Sequence, residues 1–217
     1  MSEVKACIFD LDGVRVDTAK YHYLAWKRVA KELGFDFNET DNERLKGVSR
    51  MDSLNILLQI GRISFNQEEK NILAAKKNQW YLDYIMQMKP DEILPGVKNF
   101  IEELRSIGIK IGLGSASKNA QLILTQIQIS HLFDAVIDGS MVTHAKPDPE
   151  IFLLGAKKLS TEPKYCLVFE DAEAGIEASI RGGIKCIGVG DPKILKKANA
   201  VIPGFADMNA KKLFELL

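Results

Sequence analysis

The chain carries no excess charge: Lys and Arg together number 29, and so do Asp and Glu. Without a net basic field there is no global attraction for nucleic acid. Without a polybasic run there is none for an anionic membrane surface, so any charged ligand has to be held locally. Cysteine is scarce and odd in number. Cys7, Cys166 and Cys186 each sit in an apolar run, and no Cys-x-x-Cys spacing occurs. This excludes a disulfide scaffold and reads as reduced core thiols in a reducing compartment. No apolar stretch is long enough to span a bilayer, and the opening MSEVKACIFD has too short an apolar run for a signal peptide. Repeats, low-complexity tracts and long flexible linkers are also missing. The expectation is a cytoplasmic protein with no nucleic-acid or membrane partner, and a monomer by default. Its 217 residues suffice for one α/β domain and a smaller module around a real core.

What is present falls into two textures. Val4–Phe9 reads as a first strand. From Asp17 to about Met88 the pattern is helical: a helix capped by Asp17 or Thr18 that stops at Gly34, a short one over Thr40–Lys46, an apolar one over Met51–Ile60, and a long amphipathic one over Gln67–Met88. After Pro90, strands and helices alternate. Helices are predicted at Val97–Ser106, Asn119–Gln128, Pro149–Leu159 and Ala172–Arg181. Strands are predicted at Lys110–Gly114, Ala135–Ile137, Tyr165–Phe169, Cys186–Val189 and Ala200–Ile202. Such alternation argues for a doubly wound parallel sheet with helices on both faces. The predicted architecture is therefore an α/β core, residues 1–16 and 89–217, with an α-helical cap, residues 17–88, inserted after the first strand.

Ligands of such sheets bind beyond the carboxyl ends of the strands. Four loops stand there: Asp10-Leu11-Asp12-Gly13, Ser115-Ala116-Ser117-Lys118-Asn119, Ala145-Lys146-Pro147-Asp148-Pro149 and Glu170-Asp171. Their acids offer hard oxygen ligands to Mg²⁺, and their hydroxyls, backbone amides and lysine suit a phosphate. Side chains two apart on an extended segment share a face, so Asp10 and Asp12 can address one phosphoryl group. A metal-bound Asp10 can attack phosphorus. A protonated Asp12 can serve the leaving oxygen and later recover the proton, and Gly13 turns the chain away without blocking the site. Each motif alone has a plainer explanation: a solvated turn for DxDG, helix caps for Ser115 and Ser117, a turn for Lys146, a helix start for Glu170-Asp171. The four together, in order and each near a strand end, point to one phosphate site.

In that combination the motifs resemble those of the haloacid dehalogenase-like phosphotransferases. The resemblance implies Asp10 as nucleophile and Asp12 as general acid and base. It implies Ser115, Ala116 and Lys146 as holders of the transferring phosphate. It also implies Asp10, Glu170, Asp171 and the backbone carbonyl of Asp12 as Mg²⁺ ligands. FDLDGV, DTAxYHxxAW, LKGVSRxDSL, SASKN and EDxxAGI, spread over nearly the whole chain, are similar to the members of that family that interconvert β-glucose 1-phosphate and glucose 6-phosphate. For such a mutase the resemblance implies sugar-phosphate substrates and β-glucose 1,6-bisphosphate as intermediate and activator.

A mutase also needs a second phosphate site. Lys46-Gly47-Val48-Ser49-Arg50 supplies a cation, backbone donors, a hydroxyl and a guanidinium fork. A helix C-cap with basic residues explains the same stretch. Ser117, Lys118 and Asn119 can reach that distal phosphate from the core. His22 and Trp26, four apart on one helix face, would ordinarily be packing residues. By resemblance, His22 and Lys77 set Asp12 in place when the sugar is bound, while Trp26, with Asn78, shapes the sugar pocket.

Two positions depart from the pattern. Arg15 stands where an apolar residue is usual, and it can pair with a cap acid, touch substrate or point to water. Ala172 stands where Ser is common. A sugar-phosphate phosphatase shares every core residue. A non-catalytic phosphosugar-binding protein does not need a proton donor beside a nucleophile.

Overall fold

A computed structural model describes residues 4–14, 16, 18–45 and 49–217. The chain divides into two compact units, Met1–Asp17 with Lys89–Leu217, and Thr18–Met88.

The larger unit is built on six parallel strands: β1 Ala6–Phe9, β2 Lys110–Gly114, β3 Ala135–Ile137, β4 Cys166–Glu170, β5 Lys185–Val189 and β6 Ala200–Ile202, in the order β3-β2-β1-β4-β5-β6. The strand nearest the N-terminus is thus central, and all four of its residues are buried. Strands covered on both faces read as continuous apolar runs, which is how ACIF and CLVF read. Register sets the site. Phe9 lies level with Leu113 on one side and Phe169 on the other, so β1, β2 and β4 end together.

Alternation along the strands sorts two cores. Ala6 and Ile8 of β1, Cys166 and Val168 of β4 and Cys186 of β5 pack with Ile151, Phe152 and Ala156 of α7 (Glu150–Lys158) and Ile176 and Ala178 of α8 (Glu173–Arg181). The opposite face presents Phe9 and Phe169, stacked with centroids 4.5 Å apart. Phe100 of α5 (Val97–Ser106) and Phe205 close over them, 5.4 Å from each other. Helix α6 (Ala120–Gln126) follows β2, and α9 (Ala210–Glu215), capped by the Asn209 side chain, ends the unit. The three cysteines are buried thiols, none of them in a disulfide.

The smaller unit is helical among its described residues: α1 Ala19–Glu32, α2 Glu39–Glu43, α3 Arg50–Ile60 and α4 Gln67–Ile85. Ala25, Trp26 and Val29 of α1 and Trp80, Tyr81 and Ile85 of α4 are buried, as are Leu54, Leu57 and Leu58 of α3. Asn38 with Asp41 and Asn66 with Glu69 form capping boxes at α2 and α4. Of the two expected caps of α1, Asp17 or Thr18, the Thr18 alternative is corrected. Thr18 stands at the N-cap but its side chain makes no capping bond. Its backbone is already helical, φ −84° and ψ −5°, whereas a capping hydroxyl is presented from an extended residue. Asp17 and Arg15 lie outside the described residues. No helix among the described residues is long and apolar enough to cross a membrane.

Candidate active site

The end of β1 delivers Asp10 and the end of β4 delivers Glu170, with Asp171 next. Pairing fixes these neighbours: the Asp10 amide donates to the Phe169 carbonyl at 2.9 Å. Oxygens of the Asp10, Glu170 and Asp171 carboxylates all lie within 4.8 Å of one another. Lys146, from the loop ahead of α7, reaches across the strand ends. Its Nζ donates to Asp10 Oδ1 at 2.5 Å and to Glu170 Oε2 at 2.8 Å. The sequence separates these partners widely, and the parallel crossover connections bring them together.

Three carboxylates facing one ammonium leave negative charge unmatched. Burial pushes Glu170 up to about 8, Asp10 and Asp171 add to the rise, and Lys146 opposes it. Asp171 keeps an exposed edge, yet the atoms crowded behind its carboxylate push it up to about 7, with Asp10 adding and Lys146 opposing. Burial works against the charge of Lys146, but Asp10 and Glu170 outweigh it and hold the ammonium above its ordinary pKa. Two glycines make room for the acids. A Cβ at Gly13, whose φ is +68°, would land on the Asp171 carboxylate, and one at Gly175 would land on that of Glu170. A hard-oxygen set with excess negative charge, cradled by glycine, fits a divalent cation of the Mg²⁺ class.

Asp12 lies beyond the end of β1, half-buried, in an isolated parallel bridge with Val16. Strand alternation therefore stops before it, and what orients Asp12 is the turn in which the Gly13 amide donates to Val16 O at 2.9 Å. The Asp12 carboxylate is not in the three-acid set, for which only its backbone carbonyl was expected.

Ser115, first beyond β2, is buried, and its amide donates to Ile137 O of β3 at 3.0 Å. Its Oγ accepts from the Ser117 amide at 3.1 Å, and Ser117 Oγ accepts from the Asn119 amide at 3.2 Å. The serines thus shape the loop. Asn119, not a serine, is the N-cap residue of α6, so the helix-cap alternative for Ser115 and Ser117 is set aside. Gly139 approaches the Ala116 carbonyl so closely that a Cβ would collide with it. Lys118 belongs to the same loop.

In the helical unit, Lys77 is buried and its Nζ lies 2.7 Å from His22 Nδ1. An ammonium only donates, so Nδ1 accepts and the ring carries its proton on Nε2. The Trp26 and Tyr81 rings flank the same ammonium at 4.7 and 4.9 Å, and Tyr81 stacks on His22 at 4.1 Å. The His22 ring keeps a partly exposed edge, but burial of the ring first, then Lys77, then Arg50, hold its pKa well below 6.5. Ser49 caps α3, its Oγ accepting from the Asp52 amide at 3.2 Å, and Arg50 is that helix's exposed first residue. Lys46, Gly47 and Val48 lie outside the described residues.

Sequence reasoning missed Gly175 and Tyr81. Gly175 stands in the quoted EDxxAGI, and Tyr81 falls one helical turn after Lys77, so each had a signal in place. It also passed over Asp138, first beyond β3 and buried, whose carboxylate accepts from the Ser140 amide and hydroxyl at 2.8 and 2.5 Å.

Residues 4–183 match the family model described as haloacid dehalogenase-like hydrolase. The chain belongs to the haloacid dehalogenase-like hydrolase family. It is 41% identical to the β-phosphoglucomutase of Bacillus subtilis strain 168, over 98% of this chain and 95% of that protein. A crystal structure of β-phosphoglucomutase from Clostridium difficile superposes with a TM-score of 0.91 at 43% identity, over 98% of this chain and 96% of that one. A phosphorylated carbohydrates phosphatase of Thermotoga maritima is 31% identical over 91% of this chain and 93% of that protein. The haloacid dehalogenase-like relatives at this level thus include both a phosphosugar mutase and a phosphatase.

Proposed function

We propose that the chain is a Mg²⁺-dependent β-phosphoglucomutase, interconverting β-D-glucose 1-phosphate and glucose 6-phosphate. The observation that carries the reading is the Asp10–Lys146–Glu170–Asp171 constellation at the ends of β1 and β4, in a chain 41% identical over nearly its whole length to a β-phosphoglucomutase. Asp10, Glu170, Asp171 and the Asp12 carbonyl would hold Mg²⁺, which when bound screens the charge on the acids and on the phosphoryl oxygens.

The chain's own residues supply the rest. Asp10 attacks the phosphorus of β-glucose 1,6-bisphosphate, one phosphoryl oxygen–phosphorus bond to the sugar breaks, and Asp12 gives its proton to the departing sugar oxygen. The monophosphate so formed leaves, and a monophosphate phosphorylated at the other end binds with its free hydroxyl toward Asp10. Asp12 takes the proton of that hydroxyl, and its oxygen recovers the phosphoryl group from Asp10, which re-forms the bisphosphate. The bisphosphate reverses to present its other phosphate for the next transfer. Lys146, with Ser115 and Ala116, binds the group in transit. Ser49, Arg50, Ser117, Lys118 and Asn119, together with Lys46, Gly47 and Val48, grip the distal phosphate. His22 and Lys77 set Asp12, and Trp26 shapes the sugar site. Closure on a sugar rather than on water suppresses hydrolysis.

The similarity to the T. maritima phosphatase supports a second reading, a sugar-phosphate phosphatase with the same core acids. Purified protein with Mg²⁺, β-glucose 1-phosphate and a trace of the 1,6-bisphosphate separates the two. Glucose 6-phosphate forming with little free phosphate supports the mutase, and free phosphate without glucose 6-phosphate supports the phosphatase. Arg50→Ala is expected to abolish isomerisation and leave slow hydrolysis. Unchanged isomerisation would remove Arg50 from the distal phosphate. Asp10→Asn is expected to abolish both reactions, and retention of either would remove Asp10 as nucleophile.

A further inference from the structure

A second cluster of metal-ligating side chains stands on the loop that carries Lys146, apart from the three acids of the candidate active site. It consists of His144, Asp148 and Glu150, whose ligand atoms all lie within 4.8 Å of one another. Its composition differs in kind from the first set. An imidazole nitrogen beside two carboxylates is the donor mixture favoured by Zn²⁺ and its late first-row neighbours rather than by Mg²⁺.

The geometry is close to what such an ion needs. A tetrahedron with bonds of about 2.0–2.1 Å has edges of about 3.4 Å, and His144 Nδ1 lies 3.2 Å from Glu150 Oε2. The Glu150 carboxylate is held in place by the Thr143 amide at 3.0 Å and the His144 amide at 2.8 Å. Asp148 spends only Oδ1, which accepts from the Glu150 amide at 2.9 Å. The His144 side chain is 69% exposed, so an ion from solvent has a path to it.

We propose that His144, Asp148 and Glu150 form a site for Zn²⁺ or a neighbouring late first-row divalent ion, and that the ion staples the loop bearing Lys146. The ring closed by the metal runs from His144 through Ala145, Lys146 and Pro147 to Asp148 and Glu150. Occupancy therefore restrains the segment from which Lys146 reaches Asp10. The site stands whether the enzyme is a mutase or a phosphatase, because binding is measured directly.

The test is calorimetric titration of ZnCl₂ into the full-length protein, with Mg²⁺ saturating the acids at the ends of β1 and β4. Wild type is compared with His144→Ala and with Asp148→Asn. The asparagine keeps the oxygen that accepts from the Glu150 amide, so the loop retains its shape. The expected result is one more Zn²⁺ equivalent in wild type than in His144→Ala, with affinity at that site weakened about 100-fold or more in either variant. In parallel, Zn²⁺ is expected to slow amide exchange across Thr143–Asp148 and to shift the His144 imidazole resonances. Equal stoichiometry and affinity in wild type and His144→Ala would overturn the proposal. So would the lack of any saturable Zn²⁺ equivalent in the Mg²⁺-saturated wild type.

Discussion

Replacing Gly13 with alanine isolates what one glycine does for the site. Gly13 has φ +68°, and a Cβ there falls on the carboxylate of Asp171. Two costs follow. Holding an L-residue in the left-handed region costs about 1–2 kcal/mol. The collision costs less stability, because Asp171 is exposed and can rotate outward, but that rotation carries its oxygen away from Asp10 and Glu170. Gly183 supplies the control. Its φ is +66°, and an added Cβ would meet nothing within 4 Å. Gly183→Ala therefore shares the backbone strain, and the alanine's effect on the unfolded chain, without disturbing Asp171.

Both variants are expected to melt about 2–8 °C lower than wild type without added metal. Only Gly13→Ala is expected to lose Mg²⁺ affinity, by about tenfold or more, in a calorimetric titration. Equal Mg²⁺ binding by the two variants would show that Asp171 contributes nothing to cation binding. A stability loss several-fold greater for Gly13→Ala than for Gly183→Ala would show that Asp171 cannot swing clear.

Three further outcomes are expected. His22 is held neutral in the folded cap, with its pKa depressed below 6.5, so its contribution to stability is full above about pH 6.5 and is lost as pH falls below that value. Lys77→Met removes the second cause of the depression and is expected to move the His22 imidazole titration, followed by NMR, upward toward 6.5; an unmoved titration would refute the pairing. Asn66→Ala removes the side chain that accepts from the Glu69 amide at 3.0 Å and should cost about 1 kcal/mol in urea unfolding, while a change near zero would show that the capping box of α4 is idle. Phe205→Ala opens the cluster of Phe9, Phe100 and Phe169, whose ring centroids lie 6.1, 5.4 and 5.5 Å from that of Phe205. It should cost about 3–5 kcal/mol by the same measurement, and a loss below about 1 kcal/mol would mean that the neighbouring rings collapse into the gap.

The strands of the core were legible because each is a short apolar run, cut off by a polar or acidic residue in β1 to β4, by Gly190 after β5 and by Pro203 after β6. Ala135–Ile137 and Lys110–Gly114 match their predicted bounds, and Cys166–Glu170 is displaced by one residue from its prediction. The acids were legible for the same reason, since Asp10 and Asp171 stand just past the apolar runs. Asp12 was placed by extending strand alternation three residues past Phe9, where β1 ends. Helix α9 was missed because Ala210–Glu215 is less than two turns long, too short for periodicity to register. The His22–Lys77 pair spans 55 positions and no local pattern joins them. It emerged only through resemblance, and its aromatic lining by Trp26 and Tyr81 emerged only from packing. The His144, Asp148 and Glu150 cluster was hidden inside a stretch already assigned to Lys146.

The central place of β1 also fixes an order of events during synthesis. Ala6–Phe9 leaves the ribosome before its partners, Lys110–Leu113 and Cys166–Phe169. At about 5–20 residues per second, β1 waits on the order of ten seconds for its second neighbour. The segment emerging in between, Thr18–Met88, forms a compact unit of its own. The apolar ACIF strand, a sticky template for pairing while both its edges are open, is thus carried through that interval ahead of a helical module that can complete its own packing. The nascent chain's window of greatest aggregation hazard ends only when β4, with Glu170 at its tip, is made.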